Sequence, residues 1–399
     1  MPELDRRVIG RRLAEARKAR GVTQEEAAGH LECSRPTLIA TEKGERPAKP
    51  EEIVRLAAFY GRSVHELLRP GEPVSAFEPH LRVAAQRMRL GDHELMEAIG
   101  EFQRFVEDYC ELERIAGAPL RYNYPAEIKL RAWMNVDDVA EDAAAMERRR
   151  LGLGDQPTYE LRGLLEWDVG ARIFYAPLPS AVAGMFVYLA EQGCCILINV
   201  KHPPERRRAS IAHEYGHSIV DRYSAAVDPL TYARRKPANE RFAEGFAMAL
   251  LMPTTSVRRR FHEIMSSAGD FRWADLCRLS SFFFVSVEAM TLRLEKLGLI
   301  RRGSYDHLKE SGFKVRKAEQ LLELPRRQES AEPYPERYKF LAVQAFEEGK
   351  ISEGQLARFL RCDRVSARAL VAACLRQSRM DRKGEPQEIQ LSLEESLLP

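Results

Sequence analysis

Pro204-Glu-Arg-Arg-Arg-Ala-Ser-Ile-Ala-His213-Glu214-Tyr-Gly-His217 is the stretch on which the reading of this chain turns. Pro203 and Pro204 followed by Glu205 start a helix, because proline suits a first turn and an acid there meets the positive end of the helix dipole. Within it, His213 and His217 stand four residues apart. Their imidazoles therefore lie one above the other on one face and can reach a single tetrahedral metal, with Zn2+ the expected ion. Glu214 projects about 100° around the helix from His213. There its carboxylate lies beside an open coordination position, able to take a proton from an attacking water and hand it to a leaving amine.

Outward from this motif, Cys195-Ile-Leu-Ile198 reads as an apolar strand, with Ala171–Tyr175 and Gly184–Tyr188 as two more. The motif helix is expected over 204–223, and a second helix over 239–252 is stopped by Pro253. A metal held by two imidazoles needs a third protein ligand. Glu240 and Glu244 offer two carboxylates one turn apart on one face, while Phe242, Phe246, Ala249 and Leu250 turn to the core. Spacing alone allows either acid as ligand, or both as solvated charges. Upstream, Val136–Arg150 reads as a helix closed near Gly152, and Asp92–Ala116 as a long amphipathic one with Leu95, Ile99, Phe102, Val106 and Tyr109 at spacings of three and four.

The arrangement is similar to thermolysin-like gluzincins, in which a ligand Glu is followed one turn later by an acid that supports a ligand histidine. That similarity implies Glu240 on zinc and Glu244 orienting an imidazole. Residues 137–300 resemble the ImmA/IrrE metallopeptidases, through Arg149-Arg-Leu-Gly-Leu-Gly154, Ile196-Leu-Ile-Asn199, Pro204-Glu-Arg-Arg-Arg208, the histidine motif and Phe246-Ala-Met-Ala-Leu-Leu-Met-Pro253. Two departures stand out: Ala209-Ser-Ile211 replaces a Phe-Thr-Leu-like sequence, and Glu244 stands where Asn or Asp is commoner. The resemblance implies cleavage of DNA-binding repressors or related regulators in phage, mobile-element and stress responses. Val285–Ile300 resembles the family's helical extension, with packing as its ordinary role.

The first 70 residues show a second pattern. In Gly21-Val-Thr-Gln-Glu-Glu-Ala-Ala-Gly-His-Leu-Glu-Cys-Ser-Arg-Pro-Thr-Leu38, Thr23 and Glu26 form a capping box. After a tight turn, Ser34 caps a second short helix carrying Pro36 in its first turn. Two short helices joined in this way lay the second in a DNA major groove. The span resembles the Xre (Cro/CI-like) helix-turn-helix family, through Glu42-Lys-Gly44 and Ser63–Leu68. By that resemblance Gln24, Ser34, Arg35 and Thr37 contact operator DNA, with Lys43 and Arg46 near phosphates. Residues 1–70 carry 14 Lys+Arg against 11 Asp+Glu. So small an excess favours a homodimer for affinity.

The rest bounds these readings. The chain has 399 residues, 45% hydrophobic and 30% charged, as expected of several globular domains. No apolar run reaches the roughly 18 residues of a membrane span. The opening residues lack a signal-peptide pattern, and the 7 cysteines form no Cys-x-x-Cys pair, so a cytoplasmic protein without a disulfide scaffold is expected. Cys194 and Cys195 read as buried strand residues, the alternative being a thiolate that silences the metal. The strand Cys195–Asn199 is taken as a sheet edge on which an extended substrate can pair. Lys350–Leu360 and Arg364–Leu370 repeat the helix-turn-helix rhythm, ordinarily an interaction module.

The fold class is α+β and mostly helical. A helix-turn-helix bundle over 1–70 leads through a helical connector, 71–136, to a gluzincin-like metallopeptidase with a small sheet, 137–300, and a helical region, 301–399. The function expected is a DNA-binding transcriptional regulator that is also a zinc endopeptidase acting on a repressor, a related regulator or itself. The competing reading is a transcription factor that uses a metal-bound peptidase fold as a sensor.

Overall fold

The computed structural model describes residues 5–62, 64–68, 77, 81–82, 84–85, 93–229, 236–327 and 330–377. Pro70-Gly-Glu-Pro73, whose prolines and glycine read as a linker, and the charged tail after Arg379 lie outside them. No helix among the described residues is long and apolar enough to cross a membrane.

The N-terminal helices are α1 (Arg6–Ala19), α2 (Gln24–His30), α3 (Arg35–Glu42), α4 (Pro50–Tyr60) and α5 (Val64–Leu68). Thr23 and Glu26 cap α2 reciprocally, with Thr23 N–H donating to Glu26 Oε2 at 2.8 Å and Glu26 N–H to Thr23 Oγ1 at 3.2 Å. Leu13, Ala27, Leu31, Leu38 and Leu56 close a small core of their own. Small residues on α2 leave room for α3 to cross it. Beneath, Arg17 Nε donates to Glu42 Oε1 at 2.6 Å and its Nη2 to Oε2 at 3.1 Å, so a buried bidentate pair ties α1 to α3.

The chain continues through α6 (His93–Ala116), α7 (Val136–Arg150) and a short turn of helix, α8 (Leu161–Leu164). Strands β1 (Arg172–Ala176), β2 (Val182–Leu189) and β3 (Gly193–Asn199) follow, then the motif helix α9 (Pro204–Val220), β4 (Ala226–Pro229) and α10 (Ala238–Leu251). The sheet order is β1-β3-β2-β4, with β1 parallel to β3 and the other pairs antiparallel. One expectation fails here. Cys195–Asn199 is not an edge; it is held between β1 and β2, and every residue of β3 is buried. A continuous apolar run is the signature of a strand covered on both faces, and that signal outweighs the position of the strand in sequence. β4, which the sequence did not suggest, supplies the end of the sheet beyond β2.

Four further helices, α11 (Thr254–Ala268), α12 (Trp273–Phe283), α13 (Val287–Lys296) and α14 (Ser304–Glu310), and then α15 (Val315–Leu321), complete this part. Buried guanidiniums rivet it. Arg148 donates to Leu250 O at 2.5 Å and Gly154 O at 2.9 Å, Arg208 to Thr158 O and Phe284 O, and Arg293 to Met252 O at 3.0 Å and to Glu141. Each satisfies carbonyls at helix ends that burial would otherwise leave unpaired.

Backbone packing divides the chain into two compact units, residues 1–107 with 121–333 and residues 108–120 with 334–399. The second unit contains the last turns of α6 with α16 (Glu336–Glu347), α17 (Glu353–Phe359) and α18 (Arg364–Gln377). Inside it, Arg337 donates to Glu113 at 2.7 Å and Tyr109 at 3.1 Å, and Arg358 to Asp108 at 3.1 Å and Glu111 at 3.2 Å.

Removing one partner of a buried ion pair strands the other charge, so Arg17→Met is expected to destabilise the N-terminal bundle by about 3 kcal/mol. Hydrogen exchange across residues 6–60 of the full chain reads this as lost amide protection, largely recovered in Arg17→Met/Glu42→Leu. Unchanged protection in the single variant would show that the pair contributes nothing.

Candidate metal centre

The centre is built where α9 crosses α10. Gly216, the second of the two residues between Glu214 and His217, faces Ala243. A Cβ placed on Gly216 would stand 3.0 Å from Ala243 Cα and 3.3 Å from the Phe246 ring. Two small residues thus let the backbones approach closely, and this brings Glu240 of α10 across to the imidazoles of α9. Tyr215 anchors the other side of α9: its fully buried hydroxyl donates to the Glu147 carboxylate, which Arg150 also grips at 2.6 and 2.8 Å.

The structure gathers His213, His217 and Glu240 into one cluster. The two Nε2 atoms are 3.1 Å apart, and each lies 3.5 Å from an oxygen of the Glu240 carboxylate. A tetrahedral zinc with bonds of about 2.0–2.1 Å has ligand atoms about 3.3 Å apart, so these spacings suit that ion. The donor set agrees: two imidazoles and one carboxylate form a three-ligand site with a fourth position open. His217 is buried, while His213 and Glu240 are 14% and 26% exposed, so the opening lies on their side.

Electrostatics prepares the same donors. Burial, then the neighbouring His213, push His217 down to about 4, which keeps its imidazole in the neutral, metal-binding form. Burial works to raise Glu240, but the hydrogen bond from His213 and the charge of Lys236 work against it and prevail. Its carboxyl therefore sits below its ordinary value and remains ionised.

Glu214 is fully buried against the sheet. A Cβ on Gly184 of β2 would come within 2.9 Å of Glu214 Oε1. Glycine at that point leaves space for the carboxylate as placed, a feature that becomes readable once β2 is known to cross α9. Glu244 does not take its expected place. It is 46% exposed and pairs with Lys236 at 2.7 Å, because one further turn along α10 carries it away from the imidazoles. After Glu240, the acid whose charge reaches His217 is Asp221 at the end of α9, itself held by Asn239 at 3.0 Å and Ser224 at 2.6 Å. It lies four residues beyond His217 on the motif's own face, which is the sequence signal for it. His217 Nδ1 is buried with no hydrogen-bond partner. Burial holds Cys194 and Cys195 inside β3 and pushes the Cys194 thiol well up, so Cys194 offers no thiolate.

On the N-terminal bundle, Ser34 caps α3, its Oγ 2.8 Å from Thr37 Oγ1, with Arg35 exposed and Thr37 half-buried. Lys43 is exposed at the C-cap of α3. Two of the expected DNA contacts are turned inward. Gln24 donates to Glu42 Oε2 at 3.1 Å, and Arg46 is paired with Glu52 at 2.6 and 3.0 Å and with Thr41 at 2.9 Å. Arg46 as placed fastens the loop between α3 and α4, a nearby carboxylate having claimed it ahead of phosphate.

Because the helix crossing sets the ligand spacing, Gly216→Val is expected to lower zinc affinity by at least about tenfold without removing any donor. Competition against a chromophoric chelator measures this, and an unchanged affinity would separate the crossing from the site.

Comparison with known proteins agrees with both halves. Residues 8–69 match the model of a helix-turn-helix domain, and residues 168–295 that of the IrrE N-terminal-like domain of the M78 peptidases. No curated protein matches the chain. Among solved structures, ComR from Streptococcus suis aligns over 94% of this chain and 90% of its own at 12% identity, with a TM-score of 0.16 that carries no argument about the fold. The chain thus joins a helix-turn-helix domain to an ImmA/IrrE-type, peptidase-like domain.

Proposed function

We propose that this protein is a cytoplasmic, DNA-binding transcriptional regulator whose second domain is a zinc-dependent endopeptidase. Its substrate would be a repressor or related regulator, or the chain itself, and its double-stranded operator would be bound as a homodimer. The observation that carries the reading is the convergence of His213, His217 and Glu240 at tetrahedral spacing, with Glu214 on the adjacent helix face.

When bound, zinc supplies a Lewis acid at the open position of this triad. His213 and His217 offer their Nε2 lone pairs, and Glu240 one carboxylate oxygen. Glu214 takes the proton as the attacking water's oxygen bonds to the scissile carbonyl carbon. It delivers that proton to the amide nitrogen as the C–N bond breaks. Gly184 leaves room for this carboxylate, and burial keeps bulk water away from it. With β3 interior, the strand offered to an extended substrate is β4, whose Asp228 pairs with Gly184 of β2. Scission of a regulator near the operator would then change transcription.

Glu214→Gln keeps the side chain's size and leaves all three donors intact, so zinc content should stay near one per chain. Cleavage should fall by about 10²–10⁴-fold, the usual worth of a general base. Glu240→Gln should lose zinc and cleavage together. The paired assay uses elemental analysis and fragment mapping with candidate repressors. Full cleavage by zinc-loaded Glu214→Gln would refute the mechanism. A wild type that binds zinc and operator but cleaves nothing would make the domain a sensor.

A further inference from the structure

The C-terminal unit contains a second copy of the N-terminal reading motif. Val22–Leu38 and Ile351–Ala367 superpose in sequence without a gap, and four positions are identical: Ala28 and Ala357, Leu31 and Leu360, Cys33 and Cys362, Arg35 and Arg364. The correspondence extends to each local device. Thr23 with Glu26 becomes Ser352 with Gln355, again a reciprocal capping box, with bonds of 2.8 and 3.3 Å. α2 and α17 are both seven residues long. The turn residue takes positive φ in both, 56° at Glu32 and 50° at Arg361. Ser34, which caps α3, becomes Asp363, which accepts from Ser366 N–H at 2.9 Å and Ser366 Oγ at 2.6 Å, just as Ser34 is met by Thr37. The buried positions match as well: Ala27, Ala28, Leu31 and Leu38 correspond to Leu356, Ala357, Leu360 and Ala367.

What the copy leaves exposed is suited to a duplex. Arg364, Val365 and Ser366 open α18 and face solvent, Val365 at 73% exposure. The helix Arg364–Gln377 contains no acid, and alanines at 369, 372 and 373 allow close approach to a groove. Two counterparts gain an acid, and both are engaged: Glu353 for Gln24 is covered by Arg368 at 2.8 Å, and Asp363 for Ser34 is taken up by Ser366, while Glu32 becomes the basic Arg361. A packing module needs the caps and the buried positions, but not an acid-free exposed face that opens on the arginine of the N-terminal motif. We propose that the C-terminal unit is a second reader of double-stranded DNA, with α18 in the major groove and Arg364 at base edges. The chain would then recognise a composite site.

The inference rests on the N-terminal domain binding DNA, and selection from randomised duplexes with the full chain tests the two separately. Wild type should enrich a site of two elements. Arg35→Ala should lose one element and keep the other, and Arg364→Ala should do the reverse. Either variant should bind the wild-type site about tenfold more weakly, the worth of one bidentate base contact. Val365→Glu, at an exposed position with no packing role, should match Arg364→Ala. If Arg35→Ala loses its element while both α18 variants select and bind as wild type, the C-terminal unit is a protein-interaction module and the inference fails alone. If wild type enriches no sequence, both readings fail.

Discussion

The approach of α9 to α10 at Gly216 and Ala243 is the constraint on which the rest of the centre depends. A metal site made from one helix has only two ligands, because positions four apart on a single face exhaust its reach. The third must come from another element held at close distance, and here a glycine against an alanine sets that distance. The surrounding structure maintains it. Tyr215, Glu147 and Arg150 bind α9 to α7, while Arg148 ties α7 to the end of α10. These are buried polar contacts whose loss would leave charges unpaired, so they specify one arrangement more sharply than apolar packing could.

The same burial sets the chemistry. An imidazole that stays neutral and a carboxyl that stays ionised are the two protonation states a divalent cation needs, and both follow from position. His217 is enclosed, and Glu240 gains partners that outweigh its own enclosure. The site opens on the side of the two donors that retain exposure.

Local features were legible in the sequence. Val136–Arg150 was readable from its caps and apolar spacing, and both short N-terminal helices from Thr23, Glu26, Ser34 and Pro36, since these signals lie within a few residues of what they control. The His213–His217 pair was legible for the same reason, whereas the choice of Glu240 over Glu244 came from the gluzincin similarity and not from spacing. Features set by tertiary crossing were not. Glu244 has the right spacing from Glu240, but the angle between two helices decides whether it meets the imidazoles, and here it pairs with Lys236 instead. Gly184 matters only because β2 passes over Glu214. Cys195–Asn199 became interior because β1 pairs with it in parallel, a contact that skips β2 in the chain. The helix-turn-helix rhythm of Lys350–Leu360 and Arg364–Leu370 was legible, but its residue-by-residue match to Val22–Leu38 was blurred by exchanges such as Thr to Ser and Ser to Asp, which keep each cap while lowering identity.

Joining a reader of DNA to a centre of this kind makes the metal the point at which the account stands or falls. The most direct measurement is X-ray absorption at the zinc edge of the full-length protein loaded with one equivalent of zinc. The account predicts four nitrogen and oxygen neighbours at about 2.0–2.1 Å with the outer-shell pattern of two imidazoles. Sulfur at about 2.3 Å, or a shell of oxygen alone, would place the ion elsewhere and contradict the centre formed by His213, His217 and Glu240.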